Sequence, residues 1–529
     1  MKKLLKSLLI LLIVLAALVG IVIAWTAHRL SKDQPAAPRT QYSKYEMGDG
    51  AADGSPKPDA TGYVVDKAGR GRILPPMPPE KPMDVHTAAN YRKNFSLKSC
   101  FWPGPRARSG VFTNDSSSFA MENQFPDTAT TYIPTAFRLP EGAKLVISGD
   151  YPHMRHWNFN TYNAKGEPQN ALSDVDIDPD AGSSNPFRPG VARDVQARRY
   201  TFSIVNGTVP AQRAKNTLYT MGPAGQDIFL WMRNYVPDGS VDYLGGVAFP
   251  EVELHLADGK VLKGDEACQG STSPMRGKQL ANSVDPRAWV ALTSLPWVDT
   301  ANVGARNVPA LPLQAFFNRK QVVTDLFLPA LKQADPPQLG GWWSNLASRY
   351  GYAYMSRNYG TVYVMTAKMP RVPKTWHGEA QNAANVDMRY MSVCTATALT
   401  AAMTPDCIYD EQLLPTVDDT GRYAVAISRG EDRPKNATLE CGVAWIDAGN
   451  GDGMVSGSPD YMMVINRNTL VNPEFKQSWF AVTKPGTERE AMGDYLPYML
   501  NLKNKANFEA LGCPVNKRKL YAMLPRAID

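Results

Sequence analysis

The chain has only six histidines, and three of them stand where chemistry could be organised. His153 and His156 flank Arg155 ahead of an aromatic run, and His377 follows Trp376 in Thr375-Trp376-His377-Gly378-Glu379. Imidazole titrates near neutrality, so His beside Glu and Arg could run acid–base chemistry or hold an anion. The plainer reading of each is a hydrogen-bonded turn residue. Trp342-Trp343, next to Ser344-Asn345 and followed by Tyr350, Tyr352 and Tyr354, could form an aromatic platform for a sugar or lipid. Packing between domains is the plainer use of that segment. Two oxygen-rich loops invite a calcium reading. Asp174, Asp176, Asp178 and Asp180 alternate with Val175 and Ile177, while Asp447, Asn450 and Asp452-Gly453 sit in a glycine-rich turn. Neither has EF-hand spacing, and the period-two pattern of the first reads as a strand with Asp facing solvent. Calcium is the one cofactor these residues admit. The sequence contains no nucleophile elbow, P-loop, dinucleotide fingerprint or HExxH, so no catalytic residue is assigned.

These residues must be positioned by a fold, and a faint internal repeat indicates which. Segments of 132–238 recur in order within 351–473. Met154-Arg155-His156-Trp157 matches Met388-Arg389-Tyr390-Met391, Arg199-Tyr200 matches Arg422-Tyr423, and Arg233-Asn234 matches Arg467-Asn468. Ordered self-similarity of this kind predicts a duplicated domain. The doubled arginines suit buried hydrogen bonding that holds the fold, with a ligand role as the alternative. Within each copy, short runs rich in aromatic and β-branched residues are bounded by Gly, Pro, Asn or Asp, as in Lys144–Ser148, Trp157–Tyr162, Tyr200–Val205 and Ile228–Tyr235. The expected class is mainly β, with two related jelly-roll-like β-sandwich domains at 91–270 and 341–515. A connector at 271–340 carries helical periodicity from Leu313 to Leu331, Leu502–Leu511 is a second helix candidate, and 516–529 reads as a basic tail.

Residues 1–30 combine Lys2, Lys3 and Lys6 with an uncharged apolar run from Ser7 to Ala27. The run is long for a signal peptide and predicts a transmembrane anchor, a cleaved signal being the alternative. Either places the remainder outside the cytoplasm. Residues 31–90, rich in Pro, read as an extended linker. Lys2, Lys3, Lys6 and Arg29 supply four of the net +7 charges, and the near-balanced remainder carries no nucleic-acid footprint. Cys100, Cys268, Cys394, Cys407, Cys441 and Cys513 form an even set without CxxC or zinc-ligand spacing, which favours disulfides in an exported chain. Six cysteines allow fifteen pairings. The arrangement favoured here is Cys100–Cys268, Cys394–Cys407 and Cys441–Cys513.

Trp157-Asn158-Phe159-Asn160-Thr161-Tyr162-Asn163-Ala164-Lys165-Gly166 resembles the signature strand and turn of a bacterial domain family of unknown function. Asp180-Ala181-Gly182-Ser183-Ser184-Asn185-Pro186-Phe187, Cys407-Ile408-Tyr409-Asp410-Glu411 and Gly442-Val443-Ala444-Trp445 are similar to stretches of larger envelope-associated proteins on the same plan. The resemblance covers roughly 95–515. It implies exported jelly-roll-like sandwiches and no catalytic assignment. The expected function is therefore a membrane-tethered envelope protein that binds a ligand or protein partner. A hydrolase acting on a glycan or ester, and a structural envelope component, are the alternatives.

Overall fold

The computed structural model describes residues 125–238, 244–276, 302–379, 385–396, 404–449 and 460–525. It also describes 100–101, 241, 292, 294–299 and the backbone of a small hairpin, β1 (Tyr63–Val65) with β2 (Gly71–Ile73). The apolar N-terminal run and nearly all of the linker lie outside the described residues, and no described helix is long and apolar enough to cross a membrane.

The chain is mainly β. Its first unit comprises β3 (Thr130–Phe137), β4 (Lys144–Asp150), β5 (Met154–Tyr162), β6 (Pro168–Ser173), β7 (Arg199–Val205), β8 (Thr217–Tyr219), β9 (Ile228–Pro237), β10 (Glu251–His255) and β11 (Val261–Lys263). They form a five-stranded sheet, β11-β10-β4-β7-β8, and a four-stranded sheet, β3-β9-β5-β6. The second unit comprises β12 (Ala310–Pro312), β13 (Gln314–Ala315), β14 (Ser348–Ser356), β15 (Val362–Lys368), β16 (Met388–Ala396), β17 (Cys407–Tyr409), β18 (Arg422–Ser428), β19 (Ala444–Asp447), β20 (Tyr461–Val471) and β21 (Tyr498–Asn501). Its sheets run β12-β21-β15-β18-β19 and β13-β14-β20-β16-β17. From β3 to β10 and from β14 to β21 the strands take corresponding places in the same chain order, down to the parallel pairs β7–β8 and β18–β19.

Burial explains the layering. On β7, Tyr200, Phe202 and Ile204 turn inward while the alternate residues stay partly exposed, the period of a strand with one covered face. They meet Ile133, Trp157, Phe159 and Leu230 of the opposite sheet in one apolar core. Val364, Val425 and Ile427 meet Met391, Val393 and Val464 likewise in the second unit. By contrast β5, β9 and β16 are buried at every position, as is most of β20. Their second faces are covered because the two units set these sheets against each other.

Three local expectations change. The start of the expected helical run is not helical: β12 and β13 add edges to the two second-unit sheets, and the helical part is Arg319–Phe327, started by the Asn318 side chain accepting from Gln321 N at 2.9 Å, followed by a 3₁₀ turn at Pro329–Leu331. The acidic run is not a solvent-facing strand, because Asp174–Asp176 is a 3₁₀ turn and Asp174 is wholly buried. Nor is 516–529 wholly a tail, since a Lys517–Tyr521 helix lays Leu520 into the second core. The disulfides are Cys100–Cys268, Cys394–Cys407 and Cys441–Cys513. Three such bonds point to an oxidising, extracytoplasmic environment.

Candidate ligand-binding site

The facing sheets enclose two contrasting regions. One is a buried polar network. Arg155 on β5 is fully buried and pairs across the interface with Asp410 and Glu411. Arg389 on β16 reaches the other way, donating to Arg155 O at 3.1 Å and Phe187 O at 3.0 Å and standing 3.7 Å from Asp174. Burial alone would raise the Asp174 carboxyl, but His156 and Arg389 outweigh it and hold it below the usual range. Val236 and Leu470, which the two registers skip beside Arg155 and Arg389, both have left-handed φ, 45° and 49°. Such a backbone costs energy for a branched side chain, so the same local distortion is retained in both units.

The remaining expected residues fall around this network. His156 Nδ1 lies 2.7 Å from Asp174. His377 pairs with Glu411, whose other oxygen accepts from Trp376 N at 3.0 Å. His153 stacks its ring nitrogens against Arg198, and burial followed by the Arg198 and Arg193 charges lowers it to about 4. Of the calcium candidates, Asp178 is held by Arg188 at 2.7 Å and Lys215 at 3.0 Å. Asp180 accepts from Thr201 Oγ1, Asp176 is exposed, and buried Asp447 accepts from Gly449 N. Asn450 and Asp452 lie outside the described residues. A trio of Asp127, Cys394 and Cys407 lies close together, but both sulfurs are spent on a disulfide.

The second region is a cavity of about 90 Å³. Strand alternation builds its walls. Trp231, Arg233 and Tyr235 share one face of β9, with Tyr132 of β3 paired to Arg233. Opposite them, Tyr350, Tyr352 and Tyr354 of β14 pair with Arg467, Ile465 and Met463 of β20. Phe125, Phe316 and Val322 close the sides. Trp342 and Trp343 enter from a loop in which Gly340, Gly341 and both tryptophans all have positive φ. Two successive tryptophans at 50° and 59° are outliers of the kind that cluster at functional sites. Trp343 stacks on Trp231 at 5.1 Å, and Trp342 stacks on Phe316 at 5.6 Å.

Among the described residues, the charged side chains on these walls are Arg233 and Arg467. Burial, then the Asp127 charge, pushes the Tyr132 phenol up to about 12, and burial raises Tyr235, Tyr352 and Tyr354 as well. These four phenols are therefore neutral at physiological pH. Arg467 lies 3.5 Å from Asp127 and donates to Phe125 O. Arg233 has no such counterion among the described residues. Its guanidinium lies within 5.1–5.7 Å of the rings of Trp231, Tyr162 and Tyr132, and Nη2 donates to Trp343 O at 2.5 Å. Nη1 of Arg233 and Nε1 of Trp231 are buried donors with no acceptor. The structure thus brings Trp342 and Trp343 to the cavity and leaves the three histidines and Arg155 off its lining. Sequence reading did not single out Asp410 and Glu411. The available signal was their place after a short strand, matching Asp174 after β6.

The fold and site define a two-unit β protein with disulfides inside each unit and an aromatic cavity between the units. No family model and no curated protein matches the chain. Among solved structures, it is similar to an uncharacterised protein from Burkholderia cenocepacia (11% identity, TM-score 0.38, covering 80% of this chain and 91% of that one). It is also similar to the VPA0106 protein from Vibrio parahaemolyticus (12% identity, TM-score 0.33, covering 71% and 90%).

Proposed function

We propose that this chain is an extracytoplasmic binding protein that receives a small organic ligand in the cavity between two duplicated β-sandwich domains. The observation that carries the reading is that cavity's composition: aromatic walls from both units around two buried arginines. Cavities of apolar lining with a few placed polar groups are the usual form of small-molecule sites. The matched strand orders and the paired arginines support the duplication, and the lysine-flanked apolar run supports tethering of the binding unit to a membrane through residues 1–30. The test is tryptophan fluorescence of the full-length protein titrated with small aromatic and aliphatic compounds of every charge. Saturable quenching that Trp342→Ala abolishes is the expected result. Identical quenching in that variant contradicts the reading.

A further inference from the structure

We infer that the ligand is a small organic monoanion, a carboxylate on a compact apolar body, received by Nη1 of Arg233 and Nε1 of Trp231. The inference rests on the cavity being a ligand site and adds the chemistry of what enters it. Both unpartnered groups are donors: a guanidinium has no acceptor, and neither has an indole N–H. A buried donor without a partner is costly, so the missing component is an acceptor. They stand two residues apart on one face of β9, and both residues line the cavity.

Charge sets the valence. Arg467 is offset by Asp127, and Arg233 is not offset by any described carboxylate. The aromatic faces around Arg233 stabilise its charge but bring no negative charge of their own. One positive charge therefore remains for the ligand, and a dianion would bury an excess negative charge. Volume and lining set the body. A cavity of about 90 Å³ has room for roughly six to nine water-sized groups. Phe316, Trp342, Tyr352, Met463 and Ile465 offer that body no charge.

The experiment is a charge series on the full-length protein, read by tryptophan fluorescence. Benzoate and hexanoate are compared with benzyl alcohol and hexanol, with benzylamine, and with the dianion phthalate. At least one acid is expected to bind about tenfold or more tighter than its alcohol, its amine counterpart or phthalate, the size of a charge-assisted hydrogen bond. Arg233→Gln should weaken that acid about tenfold or more and its alcohol by much less, so that the gap between them closes. If that variant does not fold, the series on the unaltered protein still decides. Alcohols binding as well as acids, or phthalate binding best, would overturn the monoanion assignment while leaving the cavity a binding site. No binding by any probe would remove the site reading itself, and the inference with it.

Discussion

Arg233 and Arg467 occupy matched positions on β9 and β20 and line one cavity from its two walls. Arg233 lies opposite Tyr132 and Asn158 in its sheet, and Arg467 opposite Tyr350 and Ser392 in the other. They differ in counterion, since Asp127 crosses to the second unit, where it also accepts from Tyr390 and Ser392. The corresponding crossing on the other side is made by uncharged Asn345, which accepts from Asn158 at 2.7 Å and Asn160 at 3.1 Å. An acid in one crossing and an amide in the other leaves the cavity electrically lopsided.

The polar network should hold the two units together. Arg155→Ala would strand Asp410 and Glu411 as buried carboxylates, and losing one partner of a buried ion pair costs about 3–5 kcal/mol. Urea denaturation should show a loss of that size. A change below about 1 kcal/mol would mean that the network contributes little.

Gly166 supports the site from behind. It has φ +72°, and a Cβ there would stand 2.6 Å from Trp343 Cε2, so the indole must move. Gly166→Ala is expected to weaken ligand binding several-fold, with a stability cost of about 1–2 kcal/mol from the left-handed backbone. Unaltered affinity in a folded variant would show that Trp343 does not shape the cavity.

His153 predicts a pH dependence. An unfolded histidine titrates near ~6.5, whereas burial and the neighbouring arginines bring His153 to about 4 in the folded chain. Between those values the unfolded chain takes up a proton that the folded chain refuses. This contribution is therefore complete above ~6.5 and is lost as pH falls toward about 4. His153→Gln should flatten that part of the melting-temperature profile, and an unchanged slope would refute the assignment.

The disulfides should rank by the loops they close. Chain-entropy reasoning gives about 5 kcal/mol for the Cys100–Cys268 separation of 168 residues and about 3 kcal/mol for the Cys394–Cys407 separation of 13. Paired Ser substitutions followed by denaturant titration check the order. A larger loss from the short loop would show that native contacts, such as Arg467 against Cys394 Sγ at 2.7 Å, dominate there.

Much of the strand pattern was legible because one-sided burial writes a period of two, as in Arg199–Val205. What escaped were strands covered on both faces. In Met154–Tyr162, Arg155 reads as a buried fold or ligand residue and Asn158 and Asn160 only as part of a signature strand, yet all three are buried in the interface. Sequence spacing carries no information about a second sheet arriving from more than two hundred residues away. The Trp342-Trp343 pair and the alternating tyrosines were visible as an aromatic cluster. That Arg233 has no counterion among the described residues while Arg467 has one was not, because Asp127 belongs to a loop whose destination only tertiary structure reveals. The acidic run misled for a local reason: Asp174 turns inward to His156 and the Trp157 amide instead of continuing an extended strand.

The most direct test of the cavity as a ligand site is a crystal structure of the full-length protein with para-bromobenzoate, phased on bromine. The expected result is a bromine peak inside the cavity, with the carboxylate at about 2.7–2.9 Å from Arg233 Nη1. Bromine bound elsewhere while the cavity between Trp342 and Arg233 stays empty would contradict the account.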